Sequence, residues 1–199
     1  AGNYTLTQPA SVLANITPKA LSITANTVNK IYGDVLTNGS GKTAFTSSGL
    51  VSGETIASVT LTYGTGAAGT DPVAATNVGG IVASAPVAGV GFNPSNYAIT
   101  YTAGDLTVTP RTLTVNATIV NKPYGDVLTS GAGYTGFTIS GLQNSETATS
   151  VTSVFSVLGS AATDNAGTVG SVSISALTGG TFNAANYTIG YNSAAVNVT

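Results

Sequence analysis

The sequence of 199 residues contains no cysteine, methionine, tryptophan or histidine, and it has very few charged residues. Without cysteine and histidine it can form no disulfide bond, and any serine nucleophile lacks its commonest base. Five basic and seven acidic residues give a net charge of −2, whereas nucleic-acid binding requires clustered lysine and arginine. No apolar run approaches the roughly 20 residues that cross a bilayer. These absences argue against a nucleic-acid partner, a membrane span in this segment and most hydrolases.

A nearly identical phrase occurs twice, NKIYGDVLTNGSG at 29–41 and NKPYGDVLTSGAG at 121–133. Asn-Tyr pairs at positions 3, 96 and 186 mark the same period of about 90 residues. The period predicts a first repeat at 19–110 and a second repeat at 111–199, after the tail of a preceding repeat at 1–18. We therefore expect a window of a longer array. The junctions between repeats contain proline and no flexible linker, which predicts stiffly coupled repeats in a rod.

Short runs that alternate apolar and polar residues predict strands, such as ALSITANTV at 20–28 and SVSISAL at 171–177. About seven such runs fall in each repeat, the number typical of a small β-sandwich. The sequence therefore predicts an all-β fold of two tandem, Ig-like β-sandwich repeats. The alternative is a β-grasp-like repeat, in which SGLVSGETI at 48–56 and SGLQNSETA at 140–148 each form one short helix.

The YGD phrase predicts a turn that fixes the end of a strand. Tyrosine offers a ring to bury, glycine takes a positive φ at little cost, and aspartate accepts backbone N–H groups in an Asx-type turn. The valine and leucine that follow are expected to return to the core. The predicted turn residues are Tyr32, Gly33, Asp34, Tyr124, Gly125 and Asp126.

Five pairs of charged residues occupy matching positions in the two repeats, which indicates structural roles within each repeat. The matched lysines and glutamates are candidates for a salt bridge at the turn or for a lysine–carboxyl cross-link, and they are Lys30, Glu54, Lys122 and Glu146. Asp34 and Glu54 form the carboxylate pair that glycoside chemistry would need. Their position among turn residues favours a structural role.

Three motif-like features are interpreted as having no chemical role. GTGAAG at 64–69 lacks the following helix that a dinucleotide site requires, and GSGKT at 39–43 lacks the first glycine of a P-loop. Asp71 and Asp164 are too isolated to form a calcium loop. We therefore expect no catalytic residue, no metal and no cofactor.

The motifs taken together resemble the YDG/MBG-type tandem repeats of large bacterial surface adhesins and haemagglutinin-like secreted proteins. In the first repeat they are Leu21–Ala25, Lys30–Asp34, Ser48–Leu50, Glu54–Thr55, Asn96–Ile99 and Val108–Pro110. In the second repeat they are Leu113–Ala117, Lys122–Asp126, Ser140–Leu142, Glu146–Thr147 and Asn186–Ile189. The resemblance implies a non-enzymatic, extracellular stalk on the bacterial cell surface, which projects an adhesive tip for cell-surface or biofilm adhesion. Its partners would be neighbouring repeats of the same chain.

Other functions stay open from the sequence. Low charge leaves the sheet edges poorly defended, so a self-assembling extracellular filament, with other copies of the chain as partners, is the main alternative. A carbohydrate- or ice-binding module would present flat threonine and tyrosine surfaces, for which only short T-x-T runs are present. An enzyme is the least favoured class.

Overall fold

The structure, a computed structural model, describes residues 2–5, 7–74 and 76–199. Ala1 and Leu6 of the predicted tail, and Ala75 of the first repeat, lie outside the described residues. The described residues of the tail before Lys19 are exposed and form no strand. The equivalent sequence at 96–110 forms two strands, because there it pairs with other strands of its own repeat.

In its described residues the first repeat contains eight strands, against about seven predicted, and a single turn of 3₁₀ helix at Pro94–Asn96. The side chain of Asn93 caps that turn by accepting a hydrogen bond from Ser95 N at 3.1 Å. The strands are β1 (Lys19–Ala25), β2 (Val28–Ile31), β3 (Gly39–Lys42), β4 (Phe45–Ser48), β5 (Ile56–Tyr63), β6 (Thr76–Ala88), β7 (Tyr97–Thr102) and β8 (Gly104–Thr109).

The second repeat has the same eight strands and a 3₁₀ turn at Ala184–Asn186, which is capped by Asn183 in the same way. The strands are β9 (Arg111–Ala117), β10 (Val120–Lys122), β11 (Gly131–Tyr134), β12 (Phe137–Ser140), β13 (Ser150–Phe155), β14 (Val169–Thr178), β15 (Tyr187–Asn192) and β16 (Ala194–Val198).

Each repeat forms a three-stranded and a five-stranded sheet. The orders are β4-β1-β7 and β2-β8-β6-β5-β3 in the first repeat, and β12-β9-β15 and β10-β16-β14-β13-β11 in the second. The pairings β1–β7 and β2–β8 are parallel, and the others in the first repeat are antiparallel. Because β8 ends at Thr109 and β9 begins at Arg111, only Pro110 separates the strands of the two repeats.

The core of each repeat lies between its two sheets. In the first repeat, Leu21 and Ile23 of β1 pack with Leu61 of β5, Ile81 of β6 and Leu106 of β8, all almost fully buried. Residues from both sheets therefore share one apolar interior, as the alternating strand patterns require. This two-layer arrangement confirms the predicted all-β sandwich.

The short helix of the β-grasp-like alternative is not formed in the described residues. Glu54 N donates to Val51 O at 3.0 Å and closes a simple turn there, and the second repeat has the same turn. A helix cannot continue because Gly53, Asn144 and Ser145 have positive φ angles. No helix among the described residues has the length and apolar character needed to span a bilayer.

Candidate functional site

The YGD phrase of the first repeat forms a turn at the end of β2. Tyr32 N donates a hydrogen bond to Thr109 O at 2.9 Å, which extends the parallel pairing of β2 with β8. Asp34 N donates to Ile31 O at 3.1 Å, and Gly33 has a φ of +90° that glycine adopts most easily. The turn places Tyr32 at the boundary with the second repeat.

The second repeat builds the same turn after β10. Tyr124 N donates to Thr199 O at 2.9 Å, Asp126 N donates to Pro123 O at 3.2 Å, and Gly125 has a φ of +92°. The backbone hydrogen bonds of the two phrases therefore match. What differs is the surroundings of the tyrosine.

The Tyr32 ring is buried in the second repeat. Only 3% of Tyr32 is exposed, and it belongs to the hydrophobic core that contains Leu113 of β9. Its ring meets that of Tyr187 edge-to-face, with the centroids 5.5 Å apart. The Tyr32 hydroxyl donates to Glu146 Oε1 at 2.7 Å and accepts from Asn144 Nδ2 at 3.1 Å. A side chain of the first repeat thus completes the core of the second.

Glu146 binds two tyrosines at this boundary. Its Oε1 accepts from Tyr32 and its Oε2 accepts from Tyr187, whose hydroxyl in turn accepts from Gln143 N at 2.9 Å. Burial, followed by the hydrogen bond to Glu146, raises the pKa of both tyrosines above the ordinary value of 10.0. Both hydroxyls therefore stay protonated and donate to the carboxylate at neutral pH.

The first repeat contains the equivalent tyrosine–glutamate pair, Tyr97 and Glu54, but no second tyrosine binds this glutamate in the described residues. The Tyr97 hydroxyl donates to Glu54 Oε2 and accepts from Val51 N at 3.0 Å. The hydrogen bond to Glu54, followed by burial, raises the pKa of Tyr97. Among the described residues, none donates to Glu54 Oε1.

Polar contacts surround the buried ring of Tyr32. Arg111 Nε donates to Tyr32 O at 2.6 Å, and the Arg111 guanidinium forms an ion pair with the carboxylate of Asp34. Asp34 therefore binds arginine instead of the backbone N–H groups of the predicted Asx-type turn. On the far side, Val73 N donates to Asn186 Oδ1 at 2.9 Å, and Asn186 is only 4% exposed. We call this whole contact between the repeats the joint.

Two residues of the joint, Gly33 and Asn144, have positive φ angles. A Cβ atom added to Gly33 would lie 2.5 Å from the flexible side chain of Gln143, and the φ of +90° at this position itself favours glycine. Asn144 has a φ of +53°, in the left-handed region. In that conformation its Nδ2 donates both to Tyr32 and to Gly69 O, the latter at 3.0 Å.

Tyr124 has none of these contacts in the described part of the chain. It is 62% exposed, and its hydroxyl forms no hydrogen bond with a described residue. A Cβ atom added to Gly125 would meet nothing within 4 Å. The predicted turn therefore exists in both repeats, but it buries its tyrosine in only one.

One prediction about the turn is wrong. Val35 and Val127, expected in the core, are 63% and 64% exposed. Leu36 and Leu128 do pack against the two cores. The chain reverses after the aspartate, so that only the leucine faces inward.

The candidate pairing of lysine with glutamate is not formed. Lys30 Nζ donates to Asp34 O at 2.9 Å and to Ala68 O, and Lys122 Nζ donates to two carbonyl oxygens in the same way. Among the described residues the only ion pair joins Arg111 and Asp34. A lysine–carboxyl cross-link to Glu54 or Glu146 is therefore not supported by these contacts.

The two lysines instead bind backbone carbonyl oxygens of the turns. Lys30 and Lys122 are 3% and 1% exposed, because each occupies an inward-facing position of its strand. Burial lowers the pKa of Lys30, and the charges of Asp71 and Asp34 oppose that shift. Each ammonium group joins the turn to the loop that follows β5 or β13.

Asp71 and Asp164 have a structural role in those loops. Asp71 Oδ2 accepts from Gly66 N at 2.8 Å and Ala68 N at 2.9 Å, and Asp164 Oδ2 accepts from Ala161 N at 2.8 Å. In the described residues no three side chains of metal-binding type come together.

The residues that bind Tyr32 were largely missed by sequence reasoning. Glu146 was selected, but as a partner for lysine, while Asn144 and Asn186 were not selected as partners. A signal was available in the difference between the repeats, since Gln143 and Asn144 stand where the first repeat has Val51 and Ser52. These two residues lie against the turn of Tyr32 and Gly33 in the first repeat.

One of the three comparisons with known proteins gives a match. No curated protein and no solved structure matches the chain significantly. Residues 21–107 match the family model of the MBG domain, YGX type, a repeat domain of surface-associated proteins. The resemblance predicted from the sequence is therefore confirmed over this segment, which covers most of the first repeat.

Proposed function

We propose that this chain is a non-enzymatic spacer in the stalk of a bacterial surface adhesin, and that it lies outside the cell. Its task is to hold an adhesive region away from the surface, and its partners are neighbouring repeats. A spacer needs little surface chemistry but must resist bending between its units. The family match supports a surface-associated repeat, and the joint supports the mechanical role.

The burial of Tyr32 in the second repeat is the observation on which this proposal rests. Bending at Pro110 would pull the ring away from Tyr187 and would leave Glu146 Oε1 without its donor. Exposing a buried aromatic side chain costs roughly 1.5–3 kcal/mol, and a lost charge-assisted hydrogen bond adds to that cost. Proline also restricts the backbone at the only residue between β8 and β9. Both effects keep the two repeats in one orientation.

Small-angle scattering of the chain over a concentration series tests the mechanical role. We expect a monomer with one well-defined maximum dimension, and we expect Tyr32→Ala to broaden the distance distribution. Tyr124→Ala is the matched control and should leave the distribution unchanged. Equal flexibility of the Tyr32→Ala variant and the parent chain would contradict the proposal. Growth of the particles with concentration would favour the filament alternative.

The location requires a separate test. An antibody against this chain should label intact cells of the organism that encodes it, without permeabilisation. Labelling only after permeabilisation would contradict an extracellular stalk.

A further inference from the structure

The joint has two sides, one from each repeat, and each repeat also carries the residues equivalent to the side that the other repeat contributes. The first repeat contributes Tyr32 and the residues around its turn, and their counterparts in the second repeat are Tyr124, Asp126, Ala162 and Ala166. We call these four residues the tyrosine face. The second repeat contributes Arg111, Asn144, Glu146, Asn186 and Tyr187, and their counterparts in the first repeat are Lys19, Ser52, Glu54, Asn96 and Tyr97. We call these five residues the glutamate face.

The tyrosine face already has the conformation that the joint requires. Gly33 N donates to Gly69 O at 3.2 Å in the first repeat, and Gly125 N donates to Ala162 O at 3.2 Å in the second. Tyr124 N is held by Thr199 O as Tyr32 N is held by Thr109 O. Docking of a partner would therefore require no rearrangement of the backbone, which limits the entropic cost of association.

The glutamate face is also formed in advance. In both repeats the tyrosine hydroxyl donates to Oε2 of the glutamate and accepts from a backbone N–H group. Glu146 Oε1 accepts from Tyr32 in the joint, whereas Glu54 Oε1 has no donor among the described residues. Asn186 is buried in the joint, whereas its counterpart Asn96 is exposed.

The charges and hydrogen-bonding groups of the two faces are complementary. The tyrosine face presents a hydroxyl donor and the exposed carboxylate of Asp126, and the glutamate face presents a carboxylate acceptor and the exposed ammonium group of Lys19. In the joint, these same positions hold the Tyr32–Glu146 hydrogen bond and the Asp34–Arg111 ion pair.

We propose that the tyrosine face is a docking site for a further repeat of the same kind, joined directly after Thr199, whose glutamate face covers Tyr124. The open glutamate face of the first repeat accepts the corresponding tyrosine of a repeat that precedes it. This inference rests on the proposed spacer function and assigns its partner and the residues of contact. Every such joint would then share a tyrosine–glutamate hydrogen bond and an ion pair between an aspartate and a basic residue, since each repeat carries both faces.

The test uses a lengthened chain, in which a second copy of residues 110–199 follows Thr199. Proline then occupies the position after Thr199 that Pro110 occupies after Thr109. Tyrosine nitration followed by mass spectrometry of peptides reports the accessibility of each ring. We expect Tyr124 to react readily in the 199-residue chain and at least about tenfold more slowly in the lengthened chain, because burial protects a group from reagents.

Two tyrosines of the same molecule serve as controls. Tyr4 is 98% exposed and should react in both chains, whereas Tyr32 should be protected in both. A second readout is thermal unfolding of Tyr124→Ala. It should leave the melting temperature of the 199-residue chain unchanged and lower that of the lengthened chain by about 4 °C or more.

Three outcomes would overturn the inference. If Tyr124 stays reactive in the lengthened chain while Tyr32 is protected, the docking site is wrong and the spacer function stands. If Tyr32 itself is reactive, the joint and the proposed function both fail. If Tyr124 of the 199-residue chain becomes protected as its concentration rises, the occupant is a separate copy, and the assignment to a covalently joined repeat is wrong.

Discussion

Tyr32 and Tyr124 occupy equivalent turns with matching backbone hydrogen bonds, yet one ring is buried and the other is exposed. Neither the turn nor the sheet that carries it accounts for this difference. It arises from the neighbour, because the Tyr32 side chain contacts Glu146 and Tyr187 of the next repeat, whereas the Tyr124 side chain has no hydrogen bond or aromatic pair with a described residue. The comparison separates what a repeat needs for its own fold from what it needs to join another repeat.

The largest difference is expected from removal of the two rings. Tyr32→Ala should lower the free energy of unfolding by about 3 kcal/mol, because it leaves a cavity at the boundary and an unused carboxylate oxygen on Glu146. Tyr124→Ala should change it by less than about 0.5 kcal/mol, as is usual for exposed positions. Urea denaturation followed by circular dichroism measures both. Equal losses in the two variants would mean that the turn, and not the joint, needs the ring.

Replacement of the lysines tests the opposite case, in which the repeats should behave alike. Lys30→Met and Lys122→Met should each cost about 2 kcal/mol, because each leaves two backbone carbonyl oxygens below a turn without their donor. The same urea experiment applies, with Lys42→Met, which alters an edge strand, as the control. A large loss from Lys30→Met alone would show that this lysine serves the joint instead of the turn.

The sequence predicted what lies within a repeat far better than what lies between repeats. Alternation in runs such as SVTLTY, and the glycine of the YGD phrase, indicated strands and a turn because those signals depend on neighbouring residues. The short strands β3 and β4 were missed, since GSGK and FTSS lack a clear apolar pattern. The binding of Tyr32 by Glu146 joins positions 114 residues apart. No local pattern records such a contact, and the matched charges suggested a lysine partner instead.

Replacing the two glutamates should give a smaller difference in the free energy of unfolding. Glu146 accepts hydrogen bonds from two tyrosines and Glu54 from one. Glu146→Gln should therefore cost about 1 kcal/mol more than Glu54→Gln, which corresponds to the loss of one charge-assisted bond. A double-mutant cycle of Glu146→Gln with Tyr32→Phe isolates this term. A coupling energy near zero would contradict a role of that hydrogen bond in the joint.

The smallest difference is expected at alkaline pH. The raised pKa values of Tyr32, Tyr97 and Tyr187 mean that stability is fully present below pH 10.0 and is lost as the pH rises from there toward their folded-state values. The lowered pKa of Lys30 acts in the opposite direction, since stability increases as the pH rises from its folded-state value toward 10.5. Three tyrosines oppose one lysine, so the free energy of unfolding should fall above pH 10.0.

Tyr32→Phe removes one of the three tyrosine contributions and should make that fall shallower. Tyr97 and Tyr187 remain in the variant, so the difference from the parent chain is small. Tyr124→Phe, at the open end, is the control, and its profile should follow that of the parent chain. Urea titrations at pH values from 8 to 11, in steps of about one unit around the ordinary pKa of tyrosine, measure the dependence of the free energy of unfolding on pH. A parallel fall in Tyr32→Phe and the parent would show that the ring alone, and not its hydroxyl, holds the repeats together.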